Sequence, residues 1–338
     1  MKYGMTVGGP LELIGPVARR AEAAGYESIW VAETARTAYI QAAVALQATT
    51  TATVGTSIAL AFPRSPVITA MTARDLAELS GGRFILGLGT QVKRVNELRY
   101  STPFEHPAPK IREVIEVCRK VWDAYAGEPI SHEGRFYTVT MPPFPGGSPP
   151  PSPIPVGVAA VNPLMLSLAG EVCDVYLGHP FSSVKYFDEI VRPAIDAGAA
   201  KAGRKPSECR VAQGAITSIA ETTEAAIAGA KLQIGFYGTT RTYAKIFEIH
   251  GWGHMTVALR EKFAKGDMQG MIDTVTDEMA EVYAIFGTPD EVRDKVKRWE
   301  GRADELILGP PWASPDMTRT EETFEAILET FAPAAGRS

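Results

Sequence analysis

Two stretches constrain the fold of this chain more than any others: residues 53–66, TVGTSIALAFPRSP, and residues 83–92, RFILGLGTQV. Each is a run of β-branched or apolar residues that stops at small and polar ones, and each gives way to a helical pattern. Strand, small-residue end and helix in repeated order mark parallel strands whose carboxyl ends line a site.

The alternation extends along the chain. Residues 3–7 read as a strand, after which Leu13, Val17, Ala21 and Ala24 fall at helical spacing and Gly25 closes the helix. Strands are expected at 28–33, 53–60 and 83–90, separated by helices at 39–50 and 67–79, the second ended by Gly81 and Gly82. Ile111, Val114, Ile115, Cys118, Val121, Trp122 and Tyr125 form one apolar stripe of a long helix. Residues 130–140 then read as a β-hairpin around Glu133 and Gly134. The proline-crowded segment 142–155 is neither helix nor central strand. Strands resume at 155–161, 175–179, 210–220 and 305–308, and Phe324, Ile327, Leu328 and Phe331 face the last helix inward.

Too much chain lies between the seventh and eighth strands for one helix, so 237–286 is expected to be a largely helical insertion. Thr288, Pro289 and Glu291 form a capping box that starts the next helix. The expectation is an α/β chain: a (β/α)8 TIM barrel in one domain over residues 1–338, with insertions at about 128–154 and 237–286.

Composition excludes several functions. The chain's 338 residues, 45% of them hydrophobic and 22% charged, suit a globular barrel with insertions. Against 34 Lys and Arg stand 39 Asp and Glu, a net charge of −5 without long runs of one sign, so no nucleic-acid footprint is present. Any anionic ligand must be met by local cations. Cys118, Cys173 and Cys209 are widely spaced and lack a CxxC pair, which reads as reduced thiols rather than disulfides or a zinc site. No run approaches the length of a membrane span, and the first residues enter a strand without an apolar leader. A cytoplasmic protein without membrane contact is expected.

In a TIM barrel the residues that close the strands form the site. Here they are Glu33 and Thr34, Ser57 to Leu60, Thr90 and Gln91, Ala160 to Asn162, His179, and Pro310 to Trp312. They include no lysine for a Schiff base, no Ser-His-Asp set and no metal cluster. A mouth so poor in acid–base groups needs a cofactor to supply the chemistry. His179, framed by Gly178 and Pro180, is either the acid or substrate contact or a packed, hydrogen-bonded histidine. Glu33 is either a site group or a solvated carboxylate. His250 and His254 are spoiled as a ligand pair by the glycines between them, and His106 and His132 read as surface residues. Gly87 and Gly89 lack the third glycine of a dinucleotide fingerprint and read as close-packing positions. Ala159, Ala160, Val161, Asn162 and Pro163 lead a strand straight into a capped helix, which is either a plain cap or an anion cradle.

With SIWVAET before them, and HEGRFY, PVGVAAVNP and AGEVCD after them, the two opening stretches resemble the bacterial luciferase-like superfamily over nearly the whole chain, specifically its branch of coenzyme F420-dependent oxidoreductases. The resemblance implies hydride transfer between a deazaflavin ring and a small organic substrate. The alternatives are an FMN-dependent monooxygenase of the same superfamily and a non-catalytic flavin-binding protein. It further implies a non-prolyl cis peptide between Ser57 and Ile58 behind the ring, with Glu33 at the ring and Thr34 where several relatives have histidine. Thr90, Gln91 and, with a one-residue offset, Asn96 would face the cofactor. Its phosphate would sit at Ala159, Ala160, Val161 and Asn162, and its polyglutamate tail near Lys93, Arg94 and Arg99. Such relatives are commonly homodimers.

Overall fold

The computed structural model describes residues 1–313 and 317–332. Eight parallel strands close on themselves: β1 (Lys2–Val7), β2 (Ser28–Val31), β3 (Thr53–Thr56), β4 (Phe84–Gly89), β5 (Val156–Ala160), β6 (Val175–Gly178), β7 (Arg210–Ile219) and β8 (Glu305–Gly309). Each pairs with the next, and β8 returns to β1 with Glu305 opposite Lys2. Helices between the strands cover the outside, as the sequence alternation requires.

Local chemistry starts and stops these helices. Ser65 caps Pro66–Ser80 by accepting the Val67 N–H at 3.3 Å, and Gly81 ends it with a left-handed φ of 63°. The capping box at Thr288 is present, with Glu291 accepting the Thr288 N–H at 2.7 Å. All three cysteines are free and buried.

The lumen is filled by Trp30, Ile85, Val175, Leu177, Ala212 and Ile307. The large indole of Trp30 fits because the neighbouring strands present Gly4 and Gly55, where an added Cβ would strike it. Its Nε1–H donates to Glu305 Oε1 at 2.6 Å, which satisfies the one polar atom of the ring. A methyl group on Gly87 would run into the Thr56 carbonyl oxygen and Leu177. Gly87→Ala is therefore expected to lower stability by about 1–3 kcal/mol in urea unfolding. Gly8→Ala, where a Cβ meets nothing within 4 Å, should leave the midpoint in place. Equal midpoints for all three proteins would show that the lumen tolerates the extra methyl.

Two features of the insertions differ from the expectation. Residues 130–133 and 138–141 form the antiparallel hairpin. The hairpin is held to helix Pro107–Tyr125 by Glu113, which accepts the Tyr137 N–H at 2.7 Å and meets His132 Nε2 at 3.2 Å. His132 is thus buried and not a surface residue, because its ring is the partner of a buried carboxylate. After β7, helix Thr223–Gly238 leads into short helices that end with Asp277–Tyr283. The insertion is largely helical, as expected, but its end is not: Ala284–Gly287 is a strand, parallel to residues 216–219 of β7. It consists of apolar and small residues buried throughout, which suits a strand between layers. β7 is long enough to serve three partners, with Arg210 to Gln213 paired to β6, Ala212 to Ile216 to β8 and Ile216 to Ile219 to the added strand.

Candidate active site

The floor of the barrel mouth is set at β3. The β3–β4 ladder runs through Val54 and Gly55, stops, and resumes at Ala59 and Leu60. In the gap the Thr56 side chain replaces the ladder: its hydroxyl donates to the Gly87 carbonyl at 2.6 Å and accepts the Gly87 N–H at 2.9 Å. Ser57 and Ile58 form the step between the two segments, and their peptide bond is cis, as the resemblance implied. Both are partly exposed, between the buried residues Val54 to Thr56 on one side and Ala59 and Leu60 on the other. Ile58 and Ala159, the latter from β5, pack on the lumen cluster and remain partly exposed, giving the mouth an apolar floor.

Glu33 clamps this step. Its backbone N–H donates to the Ile58 carbonyl at 3.0 Å, and its Oε2 accepts the Leu60 N–H at 2.8 Å. Arg64 holds both carboxylate oxygens, Nη1 at 2.9 Å from Oε2 and Nη2 on Oε1, while its guanidinium lies 5.1 Å from the Tyr39 ring centroid. The Glu33 side chain is 6% exposed. Its carboxylate is engaged by protein donors and positions the floor. Thr34 beside it is exposed.

Beyond β4 the predicted residues divide. Thr90 is partly exposed, and Gln91 is exposed with a left-handed φ of 55° while its Oε1 accepts the Val92 N–H at 3.1 Å. Asn96 does not line the open mouth. It is fully buried, with Nδ2 donating to the Thr90 and Val92 carbonyls at 2.8 and 3.2 Å and Oδ1 without a partner among the described residues. Lys93 and Arg94 are exposed, Lys93 lying 3.7 Å from Glu97. Arg99 Nη2 donates to the Thr34 carbonyl at 2.9 Å, tying this segment to the loop after β2.

Asn162 stands at the N-cap of helix Pro163–Val172, as its sequence position predicts, but its side chain makes no capping bond. Its carbonyl accepts the Met165 and Leu166 N–H groups, both at 3.0 Å. Leu164, at the second helical position, is 81% exposed. Ala159, Val161 and Asn162 are partly exposed, whereas Ala160 is buried and faces away from the opening.

His179, at the end of β6, joins residues that strand-end reasoning missed. Its Nδ1 accepts the Phe181 N–H at 3.0 Å, which leaves the ring proton on Nε2. Burial pushes its pKa down to about 4, so the imidazole is neutral at ordinary pH. The ring packs 4.6 Å from Tyr237 and 4.4 Å from Tyr243. Tyr237 and Phe236 come from the end of helix Thr223–Gly238 and meet Trp312, which follows β8: Trp312 Nε1 donates to the Tyr237 hydroxyl at 3.2 Å, and the Trp312 and Phe236 rings lie 4.8 Å apart. Gln233 Oε1 accepts the N–H groups of Trp312 and Ala313, both at 3.0 Å. Gln213 on β7 donates to the His179 carbonyl at 3.0 Å. A readable signal for Gln213 is an amide set among Ala212, Gly214 and Ala215 in an otherwise apolar strand.

His250 pairs with Ser183 Oγ at 2.8 Å in a separate cleft of about 480 Å³ that also carries Lys185, Asp188 and Arg298. Among the described residues no group of three or more His, Cys, Asp or Glu is placed to hold a metal, and no helix is long and apolar enough to cross a membrane.

A family profile described as luciferase-like monooxygenase matches residues 4–305. An uncharacterized protein of Mycobacterium tuberculosis is 36% identical over 329 residues, covering 93% of this chain and 95% of the relative. The 5,10-methylenetetrahydromethanopterin reductase of Methanolobus tindarius is 31% identical, covering 89% of this chain and 91% of that enzyme. In three dimensions the chain resembles the coenzyme F420-dependent tetrahydromethanopterin reductase of Methanopyrus kandleri, with a TM-score of 0.84, 26% identity and 97% coverage of both chains.

Proposed function

This chain belongs to the luciferase-like monooxygenase family, and from that premise we propose that it is a coenzyme F420-dependent oxidoreductase acting on a small organic substrate. The observation that carries the reading is the floor of the mouth: Ile58 and Ala159, apolar, partly exposed and backed by a packed lumen, form a surface on which a planar ring can lie. The dependence of the Methanopyrus kandleri relative on coenzyme F420 supports the choice of ring.

The residues present fit such a cofactor. Past the floor, a Cβ on Gly8 or Gly9 would meet nothing within 4 Å, so the end of β1 leaves room at the rim. The first turn of helix Pro163–Val172 offers the free Asn162 side chain and a positive dipole end for a phosphate. Lys93 and Arg94 stand exposed for the anionic tail. When bound, the deazaflavin supplies the hydride. Glu33 and Arg64 keep the floor at fixed height, Thr90 and Gln91 border it, and His179 presents its Nε2–H to charge that develops on the substrate.

Affinity for coenzyme F420 and for FMN, measured side by side, tests the reading: tighter binding of FMN would move the protein to the monooxygenase branch. Leu164→Glu adds a finer check. A carboxylate at the second helical position favours the helix by about 0.3–1 kcal/mol but repels a phosphate placed there. The variant is expected to keep its melting temperature and to bind the coenzyme at least ~10-fold more weakly, the effect of roughly 1.4 kcal/mol. Unchanged affinity would place the phosphate elsewhere.

A further inference from the structure

We infer that the aromatic wall of Phe236, Tyr237 and Trp312 beside His179 is the substrate subsite, and that it takes an uncharged, planar, largely apolar compound whose polar head accepts a hydrogen bond from His179 Nε2. The inference deepens the proposed oxidoreductase reading and rests on it for the position of the reacting ring.

Trp312 is 54% exposed although three of its polar and aromatic neighbours hold it in place. A large ring fixed from behind and open in front is a contact surface, since its own folding needs are already met. Phe263, 42% exposed, extends the same face beyond Phe236 at a ring separation of 5.7 Å. The polar groups in the wall are all neutral: the Tyr237 hydroxyl, the amides of Gln213 and Gln233, and the His179 imidazole, whose depressed pKa agrees with its packing. Gln213 Oε1 and Gln233 Nε2 are buried and lack partners among the described residues. Among those residues no ammonium, guanidinium or carboxylate group bonds to these side chains or stacks on the rings of Phe236, Tyr237 or Trp312. A charged substrate would therefore lose its hydration here without gaining a counter-charge from the described residues, whereas an uncharged planar one would lose little.

The test uses 2-acetonaphthone as the uncharged probe and 2-naphthoate as its anionic counterpart, with binding to the coenzyme-free protein measured by calorimetry. Expected results are binding of the ketone at least ~10-fold tighter than the carboxylate, and a loss of at least ~10-fold in Trp312→Ala, each worth about 1.4 kcal/mol. Trp312→Phe should stay within ~3-fold of wild type, which shows that the change concerns an aromatic face and not the fold. No binding of the ketone, equal binding of the carboxylate, or unchanged affinity in Trp312→Ala would overturn the inference. Coenzyme affinity is read separately: a protein that binds the ketone through Trp312 but no coenzyme F420 refutes the proposed function and leaves the subsite standing. One that binds the coenzyme but is indifferent to Trp312 refutes the subsite alone.

Discussion

Replacing His179 with alanine is expected to lower turnover about 10²–10³-fold, the usual cost of removing one preorganised donor to developing charge, while coenzyme affinity stays within ~3-fold. The role follows from two local facts: the Phe181 N–H occupies Nδ1, and burial holds the pKa near 4. A neutral imidazole with its proton on Nε2 stabilises charge by donating a hydrogen bond rather than by giving up a proton. Turnover should therefore show no ionisation of this group near the ordinary histidine value of 6.5, where a solvated catalytic imidazole would titrate. The same depression predicts acid sensitivity. The unfolded chain takes up a proton near pH 6.5 that the folded one refuses until about 4, so this contribution to stability is complete above 6.5 and is lost as pH falls toward 4. His179→Ala should unfold at lower pH than wild type. An inflection near 6.5 in the wild-type rate profile that disappears in the variant would instead make His179 a proton donor.

Arg64→Met should be the most destabilising of the substitutions considered, costing about 3–5 kcal/mol, because it leaves the Glu33 carboxylate buried with the Leu60 N–H as its remaining side-chain partner. The double variant Arg64→Met, Glu33→Gln removes the stranded charge and should recover most of that loss in urea unfolding. Coenzyme affinity should fall in both, since the clamp that sets the height of Ser57 and Ile58 is gone in either case. A single variant within about 1 kcal/mol of wild type would show the pair to be a surface ion pair in effect, with no hold on the floor.

Much of the architecture was legible because strand and helix periods differ and barrel strands end in small residues. The runs around Val54, Leu86 and Val158 announced the strands, and Ile111 to Tyr125 announced the clearest helix. The strand at Ala284–Gly287 was not legible: four apolar residues carry no period, and their identity comes from the pairing offered by the far end of β7. At the site, His179 could be located from strand ends alone, whereas the step at Ser57 and Ile58 came from the family resemblance. The task of Glu33 could not, because its partner Arg64 lies 31 positions away and only the turn of the chain after β3 brings them together. Asn96 reads in sequence as a polar residue near the mouth, yet its amide closes its own loop. Of the aromatic wall only Trp312 stood at a strand end; the rest was hidden for a related reason. Phe236 and Tyr237 sit on a helix with apolar residues all around, where nothing in the pattern distinguishes a wall from a core.

The pairing of β7 divides two duties along a single strand. Its lower half completes the cylinder, and its upper half anchors the chain that carries Phe236 and Tyr237 to the mouth. Because the added strand returns to the upper half, the excursion from 241 to 283 ends against residues 217–219 of β7, which pair with neither β6 nor β8. The molecule is thus built as a closed cylinder with a separately anchored flap: Tyr243 and Phe263 reach the aromatic wall from that flap, while Phe236, Tyr237 and Trp312 stay on elements tied to the barrel.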